Sequence, residues 1–124
     1  MNKLTVIIPT MWRGKFIHEM LEALNASSFV DEVVLIDNNP NSGYKSTFEK
    51  VRHIHTERNL YVNPSWNYGV SLSKNNNLML LSDDVRFDVT KISLILEQLD
   101  KGCAIGVHNK AWENSKTFNI TKLD

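Results

Sequence analysis

The segment Asn77–Asp88, NLMLLSDDVRFD, contains a short apolar run, Leu78–Leu81, that ends at Ser82, Asp83 and Asp84. An apolar run of this length that stops at polar residues is typical of a buried strand. Two adjacent carboxylates at the end of such a strand either form a polar loop that only ends the strand, or hold a ligand. The remainder of the chain decides between these interpretations, because a ligand site needs other polar loops beside this one.

Four further segments predict strands. Leu4–Ile8 (LTVII) and Glu32–Ile36 (EVVLI) are nearly continuous apolar runs, the pattern of strands that are covered on both faces in a parallel sheet. Val51–His55 alternates apolar and polar residues, which indicates a shorter or more exposed strand. Cys103–Val107 predicts a last strand, and the mixed polar segment Asn109–Asp124 has no pattern that assigns it.

Helical signals lie between these strands. Apolar side chains recur at helical spacing in two segments, residues 16–24 and 92–99. Asp88 or Thr90 can cap the second of them, and Asn63, as N-cap before Pro64, begins another helix that extends to about Lys74. Strands that alternate with helices imply right-handed crossovers. The predicted fold class is therefore α/β, a mostly parallel twisted sheet with helices on both faces.

In such sheets ligands bind outside the carboxyl ends of the strands. The polar loops after the first, second and fourth predicted strands are Pro9–Gly14, Asp37–Gly43 and Ser82–Asp88. We expect these loops to gather along one edge of the sheet. This gathering favours a ligand site over a loop that only ends a strand.

The spacing of the glycines argues against one common way of binding phosphate. The 5 glycines form neither G-x-G-x-x-G nor a Walker loop, so a glycine-rich phosphate turn is not supported. Asp83 and Asp84 would repel a diphosphate unless a divalent ion stood between them. Neighbouring side chains of a regular strand point to opposite faces, so Asp83 and Asp84 could not easily reach the same ion from a strand. We therefore expect a turn here. Asp84 is then the direct ligand of Mn²⁺ or Mg²⁺, with Asp83 on a ribose or on a metal-bound water.

Length and charge exclude several classes. With 124 residues the chain fits one domain, residues 1–124, that can bury a core of its own. The formal net charge is 0, so no broad basic field exists to hold nucleic acid. No apolar run approaches the length of a membrane span. The single cysteine, Cys103, suits a reducing compartment, and the predicted location is the cytoplasm.

Four ordered motifs carry a family resemblance. TVIIPT (5–10), VVLID (33–37), Asn59 followed by Asn67 and Gly69, and LLSDDV (80–85) resemble the N-terminal half of a family 2 glycosyltransferase of GT-A fold. Within that family the rhamnosyltransferase-like subgroup is the most similar. The resemblance runs from about Leu4 to Val107, and its ordered spacing is more specific than any one motif.

The resemblance implies a donor and a set of roles. The donor would be a nucleotide-diphosphate sugar, and Ser82–Asp84 would be the equivalent of the D-x-D motif that binds the metal and the diphosphate. Thr10 and its neighbours, together with Asp37 and Asn38, would contact base and ribose. The implied transfer is inverting: a downstream carboxylate deprotonates an unknown sugar or glycan acceptor, whose hydroxyl attacks the anomeric carbon.

Three more residues join the predicted nucleotide-binding set, each with an alternative. Trp12 either stacks on the base or packs against the protein, and its loop lies on the expected ligand edge. Arg13 either neutralises phosphate or is a solvated residue before a helix. Asn67 either faces the site or occupies the first turn of its helix. By contrast, His53 and His55 share a strand face but lack a further ligand, which disfavours a metal site there.

The chain departs from the family pattern at several positions. Met11 and Trp12 replace the usual aromatic residue and Asn after Pro-Thr, and Tyr61 stands where glycine is common. Asn38 replaces the second acid of the usual Asp-Asp pair, and its amide both donates and accepts hydrogen bonds, so it could suit a base other than uracil.

Length is the largest departure. Family members continue into an acceptor-binding region with the catalytic carboxylate, so we expect that region to be short or absent here. Glu113 and Asp124 are available as the base, but no motif surrounds either of them. The alternative function is a reduced GT-A domain that binds a nucleotide or nucleotide-sugar. It would transfer sugar only when a partner chain supplies the acceptor half, and a homo-oligomer or such a partner chain is the expected assembly.

Overall fold

The computed structural model of the protein describes residues 3–100 and the backbone of residues 104–107 and 120–123. In chain order its elements are β1 (Leu4–Thr10), α1 (Ile17–Ala26), β2 (Val30–Asp37), β3 (Val51–His55), α2 (Val62–Leu72), β4 (Leu78–Leu80), a 3₁₀ turn (Val89–Lys91), α3 (Ile92–Leu99), β5 (Ala104–Val107) and β6 (Ile120–Leu123).

Four strands form one parallel sheet in the order β3-β2-β1-β4. The chain runs outward from β1 through β2 to β3 and then returns to the other side of β1, where Ile7 lies opposite Leu80 of β4. The strand order therefore reverses between β1 and β4. In open α/β sheets this reversal opens a crevice at the carboxyl ends of the two strands, and that crevice is where ligands bind.

Helices cover both faces of this sheet, so the predicted α/β class is confirmed. On one face the apolar sides of α1 and α3 pack on alternate residues of the central strands, among them Val6, Ile8, Val33 and Leu35. On the other face α2 packs on Ile7, Val34 and Ile36. Gly69 permits a close approach here, because a Cβ at that position would lie 2.2 Å from Cγ2 of Ile7.

Helix α2 begins one residue before the predicted cap. Tyr61 is the N-cap, so Asn63 does not cap the helix, which ends at Leu72 instead of Lys74. Pro64 is then the third helical residue. It is still tolerated, because the N–H groups of the first turn have no partner within the helix. Tyr61 has a φ of 63°, a left-handed conformation that favours glycine, the residue common at this position in the family that the sequence resembles.

The predicted cap before the third helix is a short turn. Asp88 accepts hydrogen bonds at Oδ1 from the backbone N–H of Thr90 (3.0 Å) and from its hydroxyl (2.6 Å). These bonds cap the turn Val89–Lys91, which leads directly into α3. Of the two predicted caps, Asp88 is therefore the acceptor and Thr90 the donor.

The last two strands form a separate sheet. β5 pairs antiparallel with β6, with Ala104 opposite Leu123, and the two are not members of the parallel sheet. The sequence predicted β5 but left β6 unassigned, because its four residues, ITKL, mix apolar and polar side chains without a clear period. Cys103, Glu113 and Asp124, singled out above, lie outside the described residues.

A buried carboxylate connects the strands near their amino ends. Glu32 is 1% exposed and accepts hydrogen bonds from the hydroxyl of Thr5 (3.3 Å), Nη1 of Arg52 (3.3 Å) and the backbone N–H of Lys74 (2.7 Å). These residues belong to β1, to β3 and to the segment after α2. The carboxylate therefore links three strands and a connection at the end of the sheet opposite the ligand edge.

The helices of the described residues include none that is long and apolar enough to cross a membrane. The cytoplasmic location and the single domain over residues 1–124 stay predictions.

Candidate functional site

The three polar loops after β1, β2 and β4 meet at one edge of the sheet, as the sequence predicts. The backbone N–H of Asn38 donates to the carbonyl oxygen of Thr10 (2.9 Å), which joins the ends of β2 and β1. The hydroxyl of Thr10 donates to Oδ2 of Asp83 (2.8 Å), which joins the end of β1 to the loop after β4. The second bond spans the point where the strand order reverses. The site therefore lies where the topology places a ligand crevice.

The loop after β1 packs tightly against the first of the two acids. A Cβ on Gly14 would lie 2.1 Å from the carbonyl oxygen of Asp83 and 2.6 Å from its carbonyl carbon. Since real Cβ atoms do not approach a backbone so closely, only glycine fits at this position without movement of the loop. The acidic turn is thus held from two sides, by the Thr10 hydroxyl and by the backbone at Gly14.

The second acid, Asp84, is exposed and makes no hydrogen bond or ion pair within the described part of the chain. Arg86, two residues later, is paired with Glu19 of α1 (3.0 Å) and lies 5.4 Å from the ring centroid of Phe16. The carboxylate of Asp84 therefore keeps its oxygen lone pairs available to a ligand.

A divalent ion requires several oxygen ligands, and the acidic turn supplies two carboxylates. No group of three or more His, Cys, Asp or Glu side chains suited to a metal occurs within the residues that the structure describes. Mg²⁺ is usually bound by one or two carboxylates together with substrate phosphates, rather than by a cage of protein ligands. Asp83 and Asp84 fit an ion that arrives with a diphosphate, and they do not fit a resident structural metal.

Asp37, at the end of β2, is fully buried and surrounded by protein donors. Its carboxylate accepts from the backbone N–H of Asn39 (3.0 Å) and from the hydroxyl of Ser42, and Nε2 of His53 lies 2.7 Å from Oδ2. Burial raises the pKa of Asp37. The hydrogen bonds from Ser42 and His53, together with the indole of Trp12 and the Asn39 amide, lower it by more than burial raises it, so the pKa lies below the ordinary value of 3.8. Asp37 is therefore ionised at neutral pH.

Asn38 is also buried, and both the NH₂ group and the oxygen of its amide have protein partners. Its Nδ2 donates to the hydroxyl of Ser65 (2.8 Å), and that hydroxyl in turn donates to the carbonyl oxygen of Tyr61. The proton of Ser65 is thus used by Tyr61, and the amide of Asn38 supplies the donor that the Ser65 oxygen accepts. Oδ1 of Asn38 accepts from the hydroxyl of Thr56 and the backbone N–H of Leu60, both at 3.1 Å. Asn38 ties the end of β2 to the first turn of α2.

Aromatic and imidazole rings form a row beside Asp37. Trp12 lies 4.2 Å from Tyr44 and 5.3 Å from His18, measured between ring centroids, and Tyr44 meets His53 edge-on at 5.3 Å. His53 is followed by His55 at 5.9 Å. Trp12 has a φ of 64°, and its buried Nε1 has no hydrogen-bond partner among the described residues. The indole therefore packs mainly against other rings, and its N–H lies close enough to the Asp37 carboxylate to lower the pKa of that group.

The structure brings five of the eight predicted site residues together and leaves three at the surface. Thr10, Asn38 and Asp83 are joined by the bonds described above, and Trp12 joins them through its backbone N–H, which donates to the Thr10 hydroxyl (2.8 Å), and through its effect on Asp37. The exposed residues are Arg13, Asn67 and Asp84. The side chains of Asp37 and Asn38 have protein partners, and the contact of all these residues with a nucleotide or metal stays a prediction.

Sequence reasoning missed four residues of this site: Gly14, Ser42, Tyr44 and, as a partner of Asp37, His53. A signal existed for His53, because strand alternation places it on the same face as His55. The parallel register sets His53 beside Leu35 and His55 beside Asp37, and this brings both imidazoles to the end of β2. That register is not visible in the sequence of β3 alone.

Comparison with known proteins agrees with this geometry. The sequence profile of the family described as Glycosyl transferase family 2 matches residues 5–123, a range that includes all three loops of the site. A search of curated proteins gave no match. The fold is consistent with the GT-A type, with four parallel strands and helices on both faces. The chain therefore belongs to glycosyl transferase family 2.

Proposed function

We propose that this protein transfers a hexosyl or deoxyhexosyl group from a nucleoside diphosphate sugar to a sugar or glycan acceptor, with Mn²⁺ or Mg²⁺ and with inversion at the anomeric carbon. Membership of the family supports glycosyltransferase activity in general. The observation that supports the metal-dependent donor site is the pair Asp83–Asp84, held where the strand order reverses between β1 and β4.

The diphosphate half of the proposed site consists of the acidic turn and one neighbouring cation. Asp84 is the direct metal ligand, and Asp83, fixed by Thr10, faces the ribose or a metal-bound water. When bound, the ion supplies positive charge that stabilises the leaving nucleoside diphosphate. Arg13, exposed in the loop after β1, adds a guanidinium suited to phosphate oxygens.

The nucleoside half of the proposed site lies on the loops after β1 and β2. Trp12 and Tyr44 provide ring faces for a base, and Asn67 lies exposed on α2. Asp37 and Asn38 form the floor of this half. Because Asp37 is fully buried, a ribose hydroxyl or base N–H reaches its carboxylate only if a neighbouring side chain moves.

The proposed transfer forms one bond and breaks one. The acceptor hydroxyl attacks the anomeric carbon from the face opposite the diphosphate, and the bond from that carbon to the diphosphate oxygen breaks. The proton of the acceptor hydroxyl passes to a general base. The protein residues at the three loops bind and orient the donor for this displacement.

Thermal shift with donor fragments tests the proposal. The protein is melted with UDP, dTDP or GDP, each with excess Mn²⁺ and each with a chelator, and the corresponding nucleotide sugars follow. We expect one base to raise the melting temperature with Mn²⁺ and much less without it, and its sugar conjugate to release the nucleoside diphosphate when sugar acceptors are added. Stabilisation without any turnover would instead support a domain that binds a nucleotide and needs another chain for transfer. If no nucleotide stabilises the protein in either condition, the proposal fails.

A further inference from the structure

The hydroxyl of Thr10 is shared between the two halves of the proposed site. We propose that Thr10 is a positioning residue that couples the metal-binding turn to the nucleoside-binding loop, and that it is not itself a ligand of the nucleotide. This inference rests on the proposed function, and it changes the role that the sequence predicted for Thr10.

The hydrogen-bonding capacity of Thr10 is already used within the protein. A threonine hydroxyl has one proton to donate and two lone pairs to accept with. The proton is donated to Oδ2 of Asp83 (2.8 Å), and one lone pair accepts from the backbone N–H of Trp12 (2.8 Å). Thr10 is only 2% exposed. A nucleotide could therefore reach at most one remaining lone pair on a buried group.

The two partners of Thr10 both need an external constraint. Asp83 stands in a turn after an edge strand, and the bond from Thr10 to Oδ2 leaves Oδ1 without a hydrogen bond among the described residues. Trp12 has a positive φ, which a bulky side chain rarely adopts unless its surroundings impose it. The bond from its own N–H to Thr10 is one such constraint, and the ring contact with Tyr44 is another.

Coupling between the two halves follows from this shared hydroxyl. An ion that fixes the acidic turn also fixes Asp83, then the Thr10 hydroxyl, then the backbone at Trp12. Because coupling between two sites is reciprocal, a base that orders the Trp12 loop raises the affinity of the turn for the ion by the same factor. The Mn²⁺ dependence of nucleotide binding is thus predicted to need the hydroxyl at position 10.

Three variants test this coupling, and a fourth is the matched control. Thr10→Val removes the hydroxyl at similar volume, and Thr10→Ser retains it. Asp83→Ala removes the acceptor from the other loop. The control, Thr5→Val, changes a fully buried threonine on the same strand, whose hydroxyl donates to Glu32 at the opposite end of the sheet.

The first readout needs no ligand: hydrogen exchange of the Trp12 backbone amide in the free protein. We expect exchange to accelerate by about tenfold or more in Thr10→Val and also in Asp83→Ala, since each loosens the hydroxyl that the amide binds. Thr10→Ser and Thr5→Val should leave it close to the wild-type rate. Unchanged Trp12 protection in both Thr10→Val and Asp83→Ala would overturn the positioning role.

The second readout is the gain in affinity for UDP, dTDP or GDP that excess Mn²⁺ produces, measured by calorimetry. We expect this gain to fall by about tenfold in Thr10→Val, a change of about 1.4 kcal/mol, and to be retained in Thr10→Ser and Thr5→Val. A full Mn²⁺ gain in Thr10→Val, or its loss in Thr5→Val, contradicts the coupling. If the wild type binds none of the three, the proposed function fails, and the exchange rate of Trp12 still decides whether the hydroxyl positions this loop.

Discussion

Gly14 lies against the backbone of Asp83 so closely that a Cβ at position 14 would stand 2.1 Å from the Asp83 carbonyl oxygen. The loop after β1 and the acidic turn after β4 are therefore in direct backbone contact. Because backbone atoms cannot turn away as a flexible side chain can, any side chain at position 14 must displace one loop from the other.

Gly14→Ala is expected to disturb the acidic turn, the proposed metal site, more than the fold. The displaced turn should weaken Mn²⁺-dependent nucleotide binding by about tenfold or more, the loss expected from moving one charged ligand. Gly69→Ala is the matched control, since its Cβ would meet Cγ2 of Ile7 in the core at 2.2 Å and not a site residue. Calorimetry should show an unchanged Mn²⁺ gain in Gly69→Ala despite a lower melting temperature. Equal effects of the two variants on the Mn²⁺ gain would contradict the account.

Tyr61→Gly is expected to stabilise the protein. Tyr61 is 73% exposed and has a φ of 63°, so it holds a left-handed conformation with little burial to compensate. Relief of this strain should raise the free energy of unfolding by about 1 kcal/mol, after allowance for the larger entropy of glycine in the unfolded chain. Urea unfolding measures the change.

Tyr68→Gly serves as the control for that substitution. Tyr68 is also exposed but lies within α2, where glycine should cost about 1 kcal/mol. Opposite signs for the two tyrosines are the expected result, and destabilisation at both positions would argue against strain at Tyr61.

The ionised carboxylate of Asp37 should stabilise the fold at neutral pH, and this contribution should be lost in acid. Its pKa in the folded state is lowered from 3.8, because the hydrogen bonds from Ser42, His53 and others outweigh the effect of burial. The unfolded chain therefore binds the proton first as the pH falls, and stability is lost as the pH drops below 3.8 through the folded pKa. In Asp37→Asn the free energy of unfolding at neutral pH should be lower by about 2 kcal/mol.

Urea unfolding over a series of pH values checks this prediction. The difference between wild type and Asp37→Asn should be constant above about pH 5 and should shrink as the pH falls below about 4. Asp84→Asn is the control, because Asp84 is exposed and has no hydrogen-bond partner in the described part of the chain. A difference that grows toward acid would show that the ionised Asp37 does not stabilise the fold.

Glu32→Gln should destabilise the fold without a direct effect on the site. The carboxylate of Glu32 accepts from Thr5, Arg52 and Lys74, and an amide in its place turns one acceptor into a donor that faces these donors. We expect a loss of about 1–3 kcal/mol by urea unfolding. The exposed Glu22→Gln should change stability by less than about 0.5 kcal/mol. Similar losses in the two variants would exclude a special role for the buried network.

The central part of the fold was predictable, and the reason is local. The runs LTVII and EVVLI are mostly apolar and are buried in β1 and β2, so nearly continuous hydrophobicity alone indicates a parallel sheet with covered faces. Once the sheet is parallel, its loops must gather at the carboxyl edge, so Thr10 and Asp83 were expected on the same edge of the sheet. The helix start at Tyr61 was not predictable, since an exposed tyrosine with positive φ contradicts local preference.

The partners within the site could not be predicted from the sequence because they depend on register and on side-chain packing. The approach of His53 to Asp37 requires the alignment of β3 on β2, and the ring contact of Trp12 with Tyr44 requires the path of two loops. From the sequence, Asn38 in place of an acid suggested a change in base recognition. In the structure its amide also donates a hydrogen bond to Ser65. Such hydrogen-bond partners can be identified only from the tertiary structure.

The most direct test of the central claim is a calorimetric titration of the nucleoside diphosphate that stabilises the wild type, with and without Mn²⁺, repeated on Asp84→Ala. Asp88→Ala is the matched control, an exposed acid of the same loop whose carboxylate is bound by Thr90. We predict that Mn²⁺ tightens binding by about tenfold or more in the wild type and in Asp88→Ala, and that Asp84→Ala loses this gain. A full Mn²⁺ gain in Asp84→Ala would contradict the assignment of Asp84 as the metal ligand.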